Sequence, residues 1–234
     1  MKNTKILLLV LFLLIPELYS QIQSGWYWVN PQPQGHNLTS VTYLNNNTLI
    51  AVGWNGAILR STNGGQNWSN YRYSTTRDFN KVKFFDQNTG FAIGDSSLIL
   101  KTTDAGLNWT RLNYYSNDNF RDLTFLDANI LFITSFSKLI KTTNGGLSWS
   151  PSNTGMGVNK NVICLTGNPL NPNTIYCGTT FLVPNPPGTG VTYIYKSYDA
   201  GNTWSIFSSG LPTGITELNA VRSISVSNLD TSVV

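Results

Sequence analysis

One pattern of eight residues occurs four times in this chain, and it limits the fold more than anything else in the sequence. Ser61-Thr62-Asn63-Gly64-Gly65-Gln66-Asn67-Trp68 is followed by Thr102-Thr103-Asp104-Ala105-Gly106-Leu107-Asn108-Trp109. Thr142-Thr143-Asn144-Gly145-Gly146-Leu147-Ser148-Trp149 and Ser197-Tyr198-Asp199-Ala200-Gly201-Asn202-Thr203-Trp204 complete the set, at spacings of 41, 40 and 55 residues. A repeat of about 40 residues is the signature of arrays, solenoids and propellers.

The likeness extends upstream of each copy. Ile58-Leu59-Arg60 matches Ile99-Leu100-Lys101, Leu139-Ile140-Lys141 and Ile194-Tyr195-Lys196, and Ala51-Val52-Gly53 matches Ala92-Ile93-Gly94. Val41-Thr42-Tyr43 matches Val82-Lys83-Phe84 and Leu123-Thr124-Phe125, and in the fourth unit Val162-Ile163-Cys164 is the natural alignment. Each unit thus carries four short apolar segments separated by turn residues. The 28 Asn and 20 Gly tolerate the left-handed backbone of tight turns. Four antiparallel strands in about 40–45 residues make one propeller blade. The expected fold is all-β, a β-propeller with about four and a half blades, at about 38–73, 79–114, 120–151, 160–208 and an incomplete 218–234. Residues 26–30 are expected to form a ring-closing outer strand, because Trp28 precedes Val41 by the interval that separates later box tryptophans from the next unit. An open arc, part of a larger propeller, is the resulting expectation.

The motif Ser/Thr-x-Asp/Asn-x-Gly-x-x-Trp resembles the Asp box, or BNR repeat, of sialidases, other glycoside hydrolases and sortilin-type receptors. The whole-unit pattern, with Ile99-Leu100-Lys101-Thr102-Thr103-Asp104-Ala105-Gly106, is most similar to the photosystem II stability/assembly factor family. Unit four leans toward the sortilin variant through Asn168-Pro169-Leu170-Asn171-Pro172. The resemblance spans about residues 26–234. It implies an assembly-factor role, with the box turns on the bottom face of the propeller and the longer loops on the other.

Box residues are read as structural. Asn63 and Asn144 stand where Asp104 and Asp199 do, and an amide keeps the hydrogen-bond acceptor but cannot act as an acid or base. Gly65, Gly106, Gly146 and Gly201 supply a left-handed turn position, and Trp68, Trp109, Trp149 and Trp204 are expected to fill the space between blades. Arg60, Lys101, Lys141 and Lys196 recur at one position, read as stems packed on a neighbouring Trp with solvated heads, or else as an anion-binding ring. Cys164 and Cys177 lie on the first two strands of unit four, aligned with Phe84 and close to Ile93. A cross-strand disulfide and two buried thiols are both open readings.

The start reads as export. Lys2 and Lys5 precede ten apolar residues, 6–15, and Pro16 with Leu18-Tyr19-Ser20 offers cleavage before Gln21. Ten apolar residues are too few to span a bilayer, and an uncleaved anchor is the competing reading. The mature chain, residues 21–234, would be secreted or periplasmic and not membrane-spanning. It carries thirteen basic and ten acidic residues, a scattered +3 that does not suggest a nucleic-acid partner. His36 is the single histidine, so neither a metal set nor a Ser-His-Asp triad is expected, and no cofactor is implied.

Propeller glycosidases need a carboxylate pair, or a Tyr nucleophile with carboxylates and arginines. Mature residues include one Glu, Glu217, and four of the nine Asp sit in repeat turns. The expected function is therefore binding or scaffolding of a protein or glycan, with no catalytic residue. The alternative is a glycan-active enzyme, sialidase-like or another Asp-box hydrolase, whose site lies partly in missing blades. The top-face loops gather Trp54, Tyr71, Arg72, Tyr73, Arg77, Tyr114, Tyr115 and Phe181 as candidate contacts, against the plain reading that several pack loops onto blades. The Pro-rich stretch 183–190 is the least repeat-like loop.

Overall fold

The structure is a computed structural model that describes residues 35–157, 160–181, 193–207 and 221–227. Residues 1–20, the segment 26–30, the 183–190 loop, Glu217, and the side chains of Arg72 and Phe181 lie outside the described residues. All blades belong to the compact unit of residues 31–234.

Four antiparallel sheets of four strands each follow the chain in order. Blade one is β1 (Leu38–Tyr43), β2 (Leu49–Gly53), β3 (Ala57–Ser61) and β4 (Ser69–Arg72); blade two is β5 (Phe79–Phe84), β6 (Gly90–Gly94), β7 (Ile99–Thr102) and β8 (Thr110–Arg111). Blade three is β9 (Phe120–Phe125), β10 (Leu131–Ser135), β11 (Leu139–Thr142) and β12 (Ser150–Pro151); blade four is β13 (Lys160–Asn168), β14 (Asn171–Phe181), β15 (Ile194–Ser197) and β16 (Ser205–Ile206). First strands of successive blades lie side by side, β1 with β5, β5 with β9 and β9 with β13, as the inner strands of a propeller do. Residues 221–227 form no regular strand but sit against blade four, where the Val221 amide donates to the Thr179 carbonyl at 3.4 Å.

Second strands are apolar without alternation because both faces of a blade are covered. β2, β6 and β10 are buried at every residue. Three clusters fill the blade interfaces. Ile50, Val52 and Ile58 of blade one meet Phe79, Val82 and Trp109 of blade two, and Phe91 and Ile99 of blade two meet Leu123 and Ile133 of blade three. Phe132 and Leu139 of blade three meet Leu165, Ile175 and Trp204 of blade four.

An antiparallel meander puts its β1–β2 and β3–β4 connections at one end, the turn side. Its β2–β3 and inter-blade connections lie at the other end, the loop side. Every inner strand carries one extra residue at the same place, at Thr39, Asn80, Arg121 and Ile163. A bulge re-aims its side chain. Thr39 Oγ1 donates to the Phe79 carbonyl at 2.6 Å, and Asn80 Nδ2 donates to the Phe120 carbonyl at 2.8 Å, each reaching the next blade.

The bulge corrects the sequence alignment of unit four. Leu165 pairs with Cys177 and Cys164 with Gly178. Strand register places Leu165 level with Val82, Cys164 level with Lys81 and Gly167 level with Phe84, three residues from the sequence-based alignment. Opposed residues share a sheet face, so Cys164 and Cys177 point to opposite faces. The disulfide reading is therefore corrected: both are free, buried thiols. Cys177 packs in the blade three–four core. Cys164 donates from Sγ to the Val221 carbonyl at 3.1 Å, and burial pushes its thiol up to about 11.

Candidate functional site

The turn side is built four times with one hydrogen-bond circuit. The hydroxyls of Ser61, Thr102, Thr142 and Ser197 accept the amides of Gly65, Gly106, Gly146 and Gly201 at 2.8–3.0 Å. The same hydroxyls donate to Oδ1 of Asn63, Asp104, Asn144 and Asp199. Those Oδ1 atoms accept the amides of Asn67, Asn108, Ser148 and Thr203 at 2.8–2.9 Å. The second atom of the side chain differs with its chemistry. Asp104 Oδ2 accepts from Asn108 Nδ2 and Asp199 Oδ2 from Thr203 Oγ1, whereas Asn144 Nδ2 donates to Ser148 Oγ. These bonds hold the Asp104 carboxyl below its usual range, chiefly through the Asn108 amide, and bring Asp199 to about 2, chiefly through Thr203.

Box glycines are required on two grounds. Gly106 and Gly201 have φ of +79 and +77, and a Cβ would lie 2.7 Å from Ile50 and 2.3 Å from Phe132 of the preceding blade. At three of its four positions the recurring cation, read from sequence as solvated or as part of an anion ring, instead fastens blades together. Arg60 Nε donates to the Ala105 carbonyl at 3.0 Å, Lys101 Nζ to Gly145 at 2.9 Å and Lys141 Nζ to Ala200 at 2.7 Å. Lys196 Nζ lies over the rings of Tyr176, Tyr198 and Phe207 at 4.5–4.9 Å. Trp109 and Trp149 donate from Nε1 to Gly106 and Gly146.

On the loop side the eight sequence candidates separate. Trp54, Tyr71 and Tyr115 are exposed, Tyr115 at 92%. Tyr73 packs against the blade one–two core, and Tyr114 lies 5.8 Å from the Phe120 ring, so both serve packing. Arg77 Nη1 donates to the Ser96 carbonyl at 3.1 Å and ties one loop to the next. Arg72 and Phe181 have backbone positions in β4 and β14 only.

Two residues that sequence reading passed over join this surface. Phe136, 39% exposed, occupies the position of Trp54 and Asp95, one residue beyond the second strand. The Arg121 guanidinium stacks on it at 3.3 Å from the ring centroid. Arg121 is the bulge residue of blade three. In blades one and two the bulge side chain bonds to the next blade, whereas Arg121 turns to the ring in its own blade's loop. The sequence signal was present but unread: 38–39–40, 79–80–81 and 120–121–122 align at intervals of 41, with a Thr, an Asn and then an Arg at the centre.

Loop-side carboxylates are engaged. Asp78 Oδ1 accepts the Asn55 amide at 2.9 Å, and Asp95 Oδ1 accepts Asn80 Nδ2 at 2.8 Å. Asp118 accepts from Ser116, from Ser137 at 2.9 Å and from Lys138 at 2.8 Å. The Lys138 ammonium is held above its usual range, mainly by that bond, which unfits it as a base. Between the inner strands Asp122 lies 3.3 Å from Lys83 and 3.6 Å from Lys81 and accepts the Leu165 amide at 2.9 Å. Asp86 and Asp127 accept amides of their own turns. His36 Nδ1 lies 3.3 Å from Asn55 Nδ2. Among the described residues no group of three or more His, Cys, Asp or Glu could hold a metal ion, and no helix is long and apolar enough to cross a membrane.

Solved structures share this architecture. An ancestral GH74 enzyme superposes with a TM-score of 0.62 at 17% identity, covering 76% of this chain and 26% of that one. YCF48 from Cyanidioschyzon merolae gives 0.55 at 18% identity, over 75% of this chain and 57% of that one. A GH74 enzyme from Niastella koreensis gives 0.55 at 21%, over 70% and 28%. The chain spans between about a quarter and just over half of these proteins, and at such identities the likeness shows the fold. A search of curated proteins finds no match to the sequence. The family model described as Photosynthesis system II assembly factor YCF48 matches residues 21–103 and 75–228, nearly the whole chain, and the chain therefore belongs to that family of BNR-repeat β-propellers.

Proposed function

We propose that this chain is an exported, non-catalytic scaffold that grips a protein partner with its loop side, in the manner of an assembly factor. The observation that carries the reading is the division of labour around the blades. Residues that repeat are consumed by turns and blade contacts. The exposed loop-side residues Trp54, Tyr115, Phe136 and Arg121 follow no repeat and are not needed by the blades. Aromatic rings beside a stacked guanidinium suit a protein interface better than a solvated surface does. Family membership supports the assembly role.

The competing enzyme reading draws on the GH74 neighbours. A hydrolase of that kind needs two carboxylates free to face a glycosidic bond. All eight aspartates among the described residues are engaged as acceptors, by backbone amides, the Asn80 side chain, loop hydroxyls or lysines. Export by way of residues 1–20 is part of the proposal, and N-terminal sequencing of the mature protein should begin at Gln21.

The test is site-specific photo-crosslinking in the native cell, with p-benzoylphenylalanine at position 54, 115 or 136 and at 107 on the turn side as reference. The reading expects a discrete protein adduct from the loop-side positions. Hydrolysis of xyloglucan or a sialoside by the purified chain, or adducts from position 107 alone, would overturn it.

A further inference from the structure

The repeat holds one column of aromatic residues at the turn-side end of the inner strand, and blade four breaks it. Tyr43, Phe84 and Phe125 each pair with the first residue of their blade's second strand, Leu49, Gly90 and Leu131. Gly167 occupies that position in blade four, opposite Ile175. In blades two and three the ring packs, whereas Tyr43 of blade one is 67% exposed. Phe84 meets Trp109 edge-on at 6.1 Å, and Phe125 lies 5.8 Å from Phe91 and 5.9 Å from Phe85.

Beside Gly167 in blade four a pocket of about 270 Å³ opens at the turn side. Thr124, Phe125 and Leu126 from the end of β9 form one wall, and Thr166, Gly167 and Pro169 the other. A Cβ on Gly167 would lie 3.1 Å from the Phe125 carbonyl and 3.7 Å from Leu126 Cδ2, so a side chain there would aim at the β9 wall of the pocket and press on its backbone. Asn168 also lines it, and Leu170, 57% exposed, follows Pro169 in the chain. A concave site that offers Phe125, Leu126 and Pro169 beside an exposed Leu170 can seat a single anchoring side chain.

We propose that this pocket is a second docking point, on the side opposite the loops, for a protein partner that inserts one Phe or Tyr side chain. The inserted ring takes the place of the ring that blades two and three supply themselves. The inference does not depend on the loop-side reading, since no residue is shared.

The probe is N-acetyl-L-phenylalaninamide, with N-acetyl-L-alaninamide as control, titrated into the full chain and followed by methyl NMR at Leu126. The phenyl probe should bind at least about tenfold more tightly than the control, the ratio expected from burying a ring. Its shifts should centre on 124–126 and 166–169. G167F, which restores the column, should fold and abolish binding. L126F serves if that variant does not fold, because Phe85 already occupies the same position in blade two; it narrows the pocket and should weaken binding severalfold. Equal binding of the two probes, shifts centred elsewhere, or undiminished binding in a folded filled variant would overturn the proposal.

Discussion

The turn side and the loop side of these blades are made by the same chain segments, yet they obey different rules. On the turn side the hydroxyl, the Asp or Asn, and the Gly recur in all four blades with the same bonds to within a few tenths of an ångström. On the loop side a single position holds Trp54, Asp95, Phe136 and Thr180 in successive blades. Repetition marks what the fold requires, because each blade must solve the same packing problem as its neighbour. Departure from repetition marks where the chain is free to specialise. Gly167 is a departure on the turn side, and a pocket lies there.

The largest effect expected on this contrast is from the box tryptophans. W109A should lower stability by about 3–5 kcal/mol, the usual loss for a buried Trp, seen as a reduced midpoint in urea. A loss below about 1 kcal/mol would deny the turn side its structural role.

Blade fastening is the next test. K101M removes the charge-assisted bond to the Gly145 carbonyl and should cost about 1–2 kcal/mol. K196M should cost markedly less, because the Lys196 ammonium meets rings instead of a box carbonyl. Equal losses in the two variants would mean that the cation column works by packing alone.

The Asp boxes and Asn boxes separate by pH. Asp104 and Asp199 have carboxyls lowered in the fold from an unfolded value of about 3.9. Their contribution is fully present above that value and is lost as pH falls through the folded value, which for Asp199 is about 2. D104N should therefore match the parent near pH 7 and lose less stability than the parent between about pH 4 and 2, whereas D104A should be weaker at both. Urea midpoints across that range decide it. A D104N variant that melts normally but loses partner binding would assign the carboxylate a functional role.

Much of this was legible in the sequence because a repeat is its own alignment. The turn residues stand at fixed offsets in every unit, and Asn63 and Asn144 already argued against catalysis. What was hidden depended on register or on distance. The inner-strand bulge recurs in every blade but has no compositional mark to anchor an alignment, and Cys164, which sequence aligns with Phe84, lies level with Lys81. The long arms of β13 and β14 compounded the error. The partners of Arg60, Lys101 and Lys141 are backbone carbonyls 44–59 residues away, which carry no side-chain signature. Tyr73 and Tyr114 look like exposed loop aromatics in sequence and are packed in space. Arg121 and Phe136 meet only because a bulge turns one toward the loop that holds the other.

The central claim is that binding belongs to the unrepeated loop side and stability to the repeated turn side. It is tested by measuring urea midpoint and partner crosslinking on the same proteins, the double variant W54A/Y115A beside W109A. W54A/Y115A should melt within about 0.5 kcal/mol of the parent, as surface changes do, while its crosslinked adduct from position 136 disappears. W109A should melt early and still form the adduct in proportion to its folded fraction. An undiminished adduct in a fully folded W54A/Y115A protein would contradict the account.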